Sequence, residues 1–371
     1  MEGELINKYT WLTPLSLLYG LGTFLRNRLY DWGFLTSKKY AIPIISVGNI
    51  TVGGTGKTPH IEYLIKLLSK HYKVAVLSRG YKRKSRGYIL ASADSTIEEI
   101  GDESWQIKQK FPNIYVAVDT DRCRGIERLI HDVNTKDVQI ILLDDAYQHR
   151  RVTPGRNILL TDYRRLFSKD SLLPAGRLRE SAKEKERANI IIVTKCPANM
   201  SPMDYRIIAE SLDLRPYQQL YFSAIKYGRM VNMHTQEIKC MRELNRHNVL
   251  LLAGIGCPKQ MILDLSPNFA SVKSMDLRDH HYYTKKDIEN IINEFNDIPE
   301  PKLIVTTEKD TTKLISLDST PINLRKQIWI LPIRIKILQD KENIFNDKIT
   351  GYVQKNLRNR RMAKNQDDDT A

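Results

Sequence analysis

The sequence is poor in cysteine, in acids relative to bases, and in long apolar runs. Its four cysteines, Cys123, Cys196, Cys240 and Cys257, are too few for a disulfide framework in 371 residues and too far apart for CxxC metal pairs. This predicts a reduced, cytoplasmic chain. The uncharged stretch Tyr9–Leu25 falls short of the roughly 20 apolar residues that span a bilayer, and it is interrupted by Pro14, Gly20 and Gly22. It has no AxA-like cleavage site and follows an opening with two acids and one lysine, so neither a spanning helix nor a secretory signal fits. Acids are short by a wide margin: 43 Asp+Glu against 58 Lys+Arg give a formal charge of +15. Such a balance points to a polyanionic partner, which leaves nucleic acid, a phosphorylated substrate and an anionic membrane surface open.

What is present is enough apolar residue, 42%, to bury a sizeable core and to build two domains. Short apolar runs alternate with polar or helical-period stretches: AIPIISV (41–47), VAVL (74–77), IYVAV (114–118), VQIILLD (138–144), NILLT (157–161) and NIIIVT (189–194). Runs apolar on both faces suit strands of a parallel sheet covered by helices, so the fold class is α/β. After a change of pattern at 219–240, which suggests a hairpin linker, HNVLLLAGIG, PKLIVTT and QIWILPI predict a second, smaller α/β unit. The expected organisation is an N-terminal helix over 1–35, a first lobe over 36–218, the linker 219–240, a second lobe over 241–350 and a disordered tail 351–371. In the N-terminal segment, Phe24, Leu25, Leu29, Tyr30, Trp32 and Phe34 interleave with Arg26 and Arg28. This pattern suits a helix lying in a membrane interface, and it also suits a helix packed on the core.

The chemistry gathers on ISVGNITVGGTGKTPH (45–60), a glycine-rich loop between an apolar run and the helical stripe Ile61, Leu64, Ile65 and Leu68. Phosphates bind where backbone N–H groups converge at a helix N-terminus. Thr51, Val52, Gly53, Gly54, Thr55 and Gly56 would form that cradle, Lys57 would reach the β- and γ-phosphates, and Thr58 would offer its hydroxyl to Mg2+. One glycine is missing, because Thr51 stands where the GxxxxGK(S/T) pattern begins. Asp144 and Asp145 close the apolar run VQIILLDD, the place from which a nucleotide metal is held. Gln148, His149 and Arg150 follow, where donors and cations favour a transferring phosphoryl group. Thr194-Lys195 is followed by Pro197 rather than the aspartate of a guanine-reading (N/T)KxD, which weakens a switch GTPase. A nucleic-acid-associated or switch-type P-loop NTPase remains the alternative reading.

Taken in order, VGNITVGGTGKTP (47–59), SRGYKR (78–83), GDE (101–103), DDAYQHR (144–150), LLPAGRLRE (172–180), AGIGCP (253–258), DHHYY (279–283) and TTEKD (306–310) are similar to the motifs of the tetraacyldisaccharide 4′-kinase family, the lipid A 4′-kinases. The resemblance implies a P-loop lobe and a smaller C-terminal α/β lobe joined by a two-stranded linker that permits hinge motion. It implies ATP with Mg2+, an acylated glucosamine disaccharide 1-phosphate as the lipid substrate, phosphorylation of its 4′-hydroxyl to give lipid IVA, and no nucleic acid. The implied location is the cytoplasmic face of the bacterial inner membrane, with peripheral contact to anionic lipid. On this resemblance Asp102 is the base, His280 supports it with His281 as competitor, and Asp144, Asp145 and Thr58 hold the metal. Arg79, Arg83, Glu103, Gln148 and His149 are candidates for contacts to the substrate or its phosphates. Lys82, Ala146, Tyr147 and Arg177 depart from the family pattern, and Lys195, Glu308, Lys309 and Asp310 carry no expected chemical role.

Overall fold

The computed structural model describes residues 9–254, 258–275, 283–315 and 321–369. The chain forms two units: one runs to Ile225 and resumes at Ile335, and the other is Lys226–Arg334. In chain order the strands are β1 (Ile44–Asn49), β2 (Val74–Ser78), β3 (Ile89–Leu90), β4 (Tyr115–Val118), β5 (Ile140–Asp144), β6 (Arg156–Asp162), β7 (Ile190–Thr194) and β8 (Gln219–Tyr227). There follow β9 (Met230–Asn232), β10 (Ile238–Lys239), β11 (Asn248–Leu252), β12 (Ser271–Met275), β13 (Lys302–Thr307), β14 (Ile328–Leu331) and β15 (Ile333–Ile337).

The first unit is a nine-stranded sheet in the order β15-β8-β7-β6-β1-β5-β2-β4-β3. Pairing from β8 through β4 is parallel, and β3 closes the edge antiparallel to β4. Alternate residues of each strand go to opposite faces: Ile45 and Val47 join one buried cluster, while Ile44, Ala75, Leu77, Ile141 and Leu143 join another. Burial on both faces is why these runs carry no polar alternation. The helix Lys57–Leu68 lays Ile61, Leu64, Ile65 and Leu68 on the sheet at the predicted spacing. Because the central strands are parallel, their carboxyl ends share one edge, and in an open α/β sheet that edge is where ligands sit.

The second unit is a six-stranded sheet ordered β10-β9-β14-β13-β11-β12, parallel from β14 to β12 and antiparallel at β9 and β10. Leu250, Leu252 and Ile304 pack on Ile288, Ile291 and Phe295, whereas Val249, Leu251 and Val305 pack on Met261 and Leu265. Asp310 ties its strand ends together, its Oδ2 accepting from the Gly254 N–H at 3.0 Å and the Thr307 hydroxyl at 2.8 Å.

The boundaries expected from the sequence differ in two places. The chain crosses between the units through β8 and β15, which are neighbours in the first sheet, and not through a hairpin over 219–240. Pro332 separates β14 from β15 because it cannot donate to a ladder, so the run QIWILPI serves two sheets. The expected tail is a helix, Glu342–Asp369, which returns to the first unit and buries Phe345, Ile349, Tyr352 and Val353. The Tyr352 hydroxyl donates to the Ile44 carbonyl and accepts from the Ile44 N–H, both at 3.2 Å, over Gly155, where any side chain would collide with it. Its anchoring residues recur at i, i+4 and i+7, a period that the basic composition after Lys355 obscures.

Candidate active site

The loop after β1 solves the missing glycine without a turn. Thr51 lies outside the positive-φ residues and forms an antiparallel bridge with Leu178, so its backbone is extended and accepts a threonine. Val52 N–H donates to the Arg177 carbonyl and Arg179 N–H to the Ile50 carbonyl, each at 2.7 Å. The left-handed backbone falls on Gly53 (φ 114°) and Gly56 (φ 84°), where glycine is tolerated at no steric cost. Beneath the loop, Asn49 Nδ2 donates to the Thr55 hydroxyl at 2.8 Å. His60 Nδ1 meets the Gly56 carbonyl at 2.7 Å and Nε2 meets the Ser223 hydroxyl at 3.0 Å, and burial holds its pKa down to about 4. The neutral ring therefore links the loop to β8.

Thr194 and Lys195, at the end of β7, hold the loop from outside. The Thr194 hydroxyl donates to the Thr55 carbonyl at 2.9 Å, and Lys195 Nζ donates to the Gly54 carbonyl while pairing with Asp162 at 2.7 Å. These contacts assign Lys195 a role that its motif alone did not.

Parallel pairing of β1 with β5 sets Val47 beside Asp144 and brings the acids to the loop. Lys57 Nζ lies 3.7 Å from Asp145 Oδ1, and Asp145 Oδ2 lies 3.4 Å from the Arg179 guanidinium. Thr58 donates to Glu103 at 3.3 Å. Asp144 is buried, and burial together with the charges of Glu103 and Asp145 pushes its carboxyl up to about 7 against the opposing pull of Lys57 and Arg122. Asp144 Oδ1 and Asp145 Oδ1 are buried without a hydrogen-bond partner. Two buried carboxylate oxygens without a hydrogen-bond partner and a nearby hydroxyl are the donor set of a hard divalent cation.

Asp102 opens the helix Asp102–Lys110 and is 5% exposed, with Oδ1 accepting from the Glu103 N–H at 2.9 Å. Gly101 before it has φ 84°, and an added Cβ would stand 2.8 Å from the Tyr81 carbonyl, so this entry requires glycine. Thr58 and Glu103 thus join the GDE segment to the phosphate loop. His280 and His281 lie outside the described residues.

Several of the candidate residues make contacts within the fold. Gln148 Nε2 donates to the Asn49 carbonyl at 2.7 Å and braces β1. Arg83 donates to the Gly87 carbonyl at 2.7 Å and to the Val118 carbonyl at 3.5 Å, shaping its own loop. Arg79 is exposed at the end of β2. Arg122, which the motifs did not reveal, is buried and donates to the Asp119 carbonyl at 2.5 Å and the Asp144 carbonyl at 3.3 Å; burial lowers its pKa to about 10. In DTDRCRG, nothing in the pattern singles out Arg122 from Arg124. His149 gathers with Asp121 and Cys123, their ligand atoms within 4.8 Å of one another. Asp121, however, already accepts from Cys123 N–H, Arg124 N–H and Arg151. Burial and the Arg122 charge hold His149 neutral, down to about 4.

The helix Thr13–Asp31 is turned inside out. Its inward residues are Ser16 and Asn27, the former accepting from the Ala175 N–H at 2.9 Å and donating to the Leu172 carbonyl at 3.1 Å. Gly20 sits where a Cβ would be 2.8 Å from Leu172. Leu15, Leu17, Leu18, Leu21, Phe24 and Leu25 are exposed, as are Trp11 and Phe34 at 76% each. A helix that only packed on the core would reverse this arrangement. No described helix is long and apolar enough to cross a membrane.

Three comparisons bear on this site. A family model described as "Tetraacyldisaccharide-1-P 4'-kinase" matches residues 8–353. A tetraacyldisaccharide 4′-kinase of Phocaeicola vulgatus is 51% identical over 97% of this chain and 99% of its own length. One of Porphyromonas gingivalis W83 is 43% identical over 95% of this chain and 99% of its own. Among solved structures, LpxK from Aquifex aeolicus in complex with ATP superposes with a TM-score of 0.69 at 29% identity, covering 93% of this chain and 98% of that one.

Proposed function

The chain belongs to the tetraacyldisaccharide-1-P 4′-kinase family, an ATP-dependent kinase of that lipid, and from this premise we propose how its residues divide the work. The observation that carries the proposal is the convergence of Lys57, Thr58, Asp144, Asp145 and Glu103 on one glycine-rich loop. Lys57 leaves its 3.7 Å pairing with Asp145 for the β- and γ-phosphates, a short move for a flexible ammonium. Asp144, Asp145 and the Thr58 hydroxyl would hold Mg2+, which would supply neutralisation of the phosphate charge when bound. Arg179 keeps Asp145 aimed at the loop. Asp102 accepts the proton of the attacking sugar hydroxyl; general-base catalysis of this kind contributes about 10²–10⁴ in rate. Its fixed place at a helix start beside Glu103, which bonds Thr58, supports that role. The gathering of Lys57, Thr58, Asp144 and Asp145 at the carboxyl edge of one sheet supports this reading, because ligands of open α/β sheets sit at that edge.

The acylated substrate resides in a membrane, and the outward leucines and Phe24 of the N-terminal helix, with Trp11, Trp32 and Phe34 flanking it, fit a peripheral seat on the anionic cytoplasmic face of the inner membrane. Arg28, whose guanidinium lies 5.1 Å over the Phe24 ring, suits a lipid phosphate. The test is phosphate transfer from ATP-Mg2+ to tetraacyldisaccharide 1-phosphate by the parent, Asp102→Asn and Lys57→Ala. Asp102→Asn should bind ATP and lose at least about a hundredfold in turnover, while Lys57→Ala should weaken both. Equal turnover by Asp102→Asn and the parent removes Asp102 from the base role. ATP hydrolysis that responds to DNA or RNA and not to the lipid would favour a different NTPase.

A further inference from the structure

Glu180 is a buried carboxylate, 1% exposed, and it binds two guanidinium groups from different elements. One oxygen accepts from Arg26 of the N-terminal helix and the other from Arg187. The strap 172–180 that carries it touches the phosphate loop on one side through the Thr51–Leu178 bridge, Val52 N–H to Arg177 and Arg179 N–H to Ile50. On the other side the same strap holds the helix: Ser16 bonds Leu172 and Ala175, and the Tyr19 hydroxyl donates to the Arg179 carbonyl at 2.9 Å. Arg187 extends the link behind the acids, donating to the Tyr147 carbonyl at 2.7 Å with its guanidinium 4.5 Å over the Tyr147 ring. Tyr147 in turn packs on Gly48 of β1, where an added Cβ would be 2.8 Å from the Tyr147 Cβ.

An exposed ion pair fixes little, because water and salt replace either partner. A buried carboxylate shared by two guanidinium groups is different: losing one partner leaves charge uncompensated in a dry site, so the three groups keep one geometry. Here that geometry sets the register between the outward apolar helix and the loop with Asp145. Arg26 itself is partly exposed, flanked by the exposed Phe24 and Leu25. Anything that seats the helix therefore acts directly on one arm of the clamp.

We propose that Glu180 is a positioning residue that transmits the seating of the N-terminal helix on an anionic lipid surface, through Arg26 and the strap 172–180, to the phosphate loop and Asp145. The proposal rests on the membrane reading above and adds that turnover, not only binding, responds to the surface. The experiment uses the full chain as parent, Arg26→Gln, Arg26→Lys and Glu180→Gln, with lipid substrate presented in phosphatidylglycerol vesicles or in nonionic detergent micelles. Vesicle pelleting, ATP affinity, kcat and KM are measured for each. Arg26→Gln should pellet like the parent and keep its ATP affinity within about twofold, yet lose about tenfold in kcat on vesicles and much less in micelles, with Arg26→Lys recovering most of it. Glu180→Gln should reproduce that pattern; if it does not fold, the Arg26 pair decides. A parental kcat for Arg26→Gln on vesicles, an equal loss in both presentations, or a loss matched by lost pelleting overturns the proposal. A parent that neither pellets nor turns over faster on vesicles overturns the membrane reading as well, which separates the two failures.

Discussion

Replacing Lys195 by methionine keeps the aliphatic stem and removes the ammonium that holds the Gly54 carbonyl and pairs with Asp162 at 2.7 Å. A hydrogen bond to a charged group contributes about 1.5–3 kcal/mol, and partial exposure of both side chains brings this to about 1–2 kcal/mol. That free energy keeps the loop in its binding conformation, and a fractional loss of the competent state reduces apparent affinity by the same factor. ATP binding should therefore weaken about 5–30-fold. Lys195 touches no reacting atom in this arrangement, so kcat at saturating ATP should stay within about threefold of the parent. Calorimetric titration of ATP with Mg2+, beside steady-state kinetics, measures both quantities. The double variant with Asp162→Asn removes the carboxylate left behind and should bind ATP no worse than Lys195→Met alone. Parental affinity in Lys195→Met, or intact affinity with a hundredfold loss of kcat, refutes the loop-bracing role.

Thr51→Gly should leave the KM for ATP within about twofold and lower stability by about 0.5–1 kcal/mol in denaturant titration, since the position is extended and glycine only adds unfolded-state freedom. Gly56→Ala, at φ 84°, should instead cost about 1–2 kcal/mol and raise the KM for ATP. His60 has a folded pKa of about 4 against an ordinary 6.5, so between these values the unfolded chain binds a proton that the folded chain refuses. Stability is then full above pH 6.5 and falls by up to about 3 kcal/mol toward pH 4, a slope that urea midpoints should show and that His60→Gln should flatten. Deleting residues 341–371 should leave the first unit insoluble or unfolded, because burial of Phe345, Ile349, Tyr352 and Val353 contributes about 1.5–3 kcal/mol each, comparable in sum to a domain's net stability.

Much of this architecture is written in local pattern. Strands β1, β2, β4, β5, β6, β7, β11 and β13 announce themselves as apolar runs because both faces of each sheet are covered, and Gly56-Lys57-Thr58 marks the phosphate loop by its backbone demands. Asp144 and Asp145 are legible because a parallel sheet places strand ends together. The long-range partners are not legible. Thr51 reads as a defect until Leu178, far along the chain, supplies its bridge. Lys195 looks like a failed guanine motif until its ammonium meets Gly54. Arg122 carries no spacing signal at all, and Glu180 closes the LLPAGRLRE match without any sign of its role, since both act on carbonyls or guanidinium groups brought by other elements. The N-terminal helix is a partial case: its composition allows two orientations, and the polar contacts of Ser16, the close approach of Gly20 to Leu172 and the burial of Asn27 turn its leucines outward.

The division of labour among Lys57, Asp102, Asp144 and Asp145 meets its most direct test in transfer of labelled γ-phosphate from ATP to tetraacyldisaccharide 1-phosphate, with the product's position of phosphorylation determined. The account predicts a single 4′-phosphorylated product from the parent, strict dependence on Mg2+, and near-complete loss in Asp144→Ala/Asp145→Ala with the fold intact by circular dichroism. Undiminished transfer by that double variant, or transfer to a different hydroxyl, would contradict it.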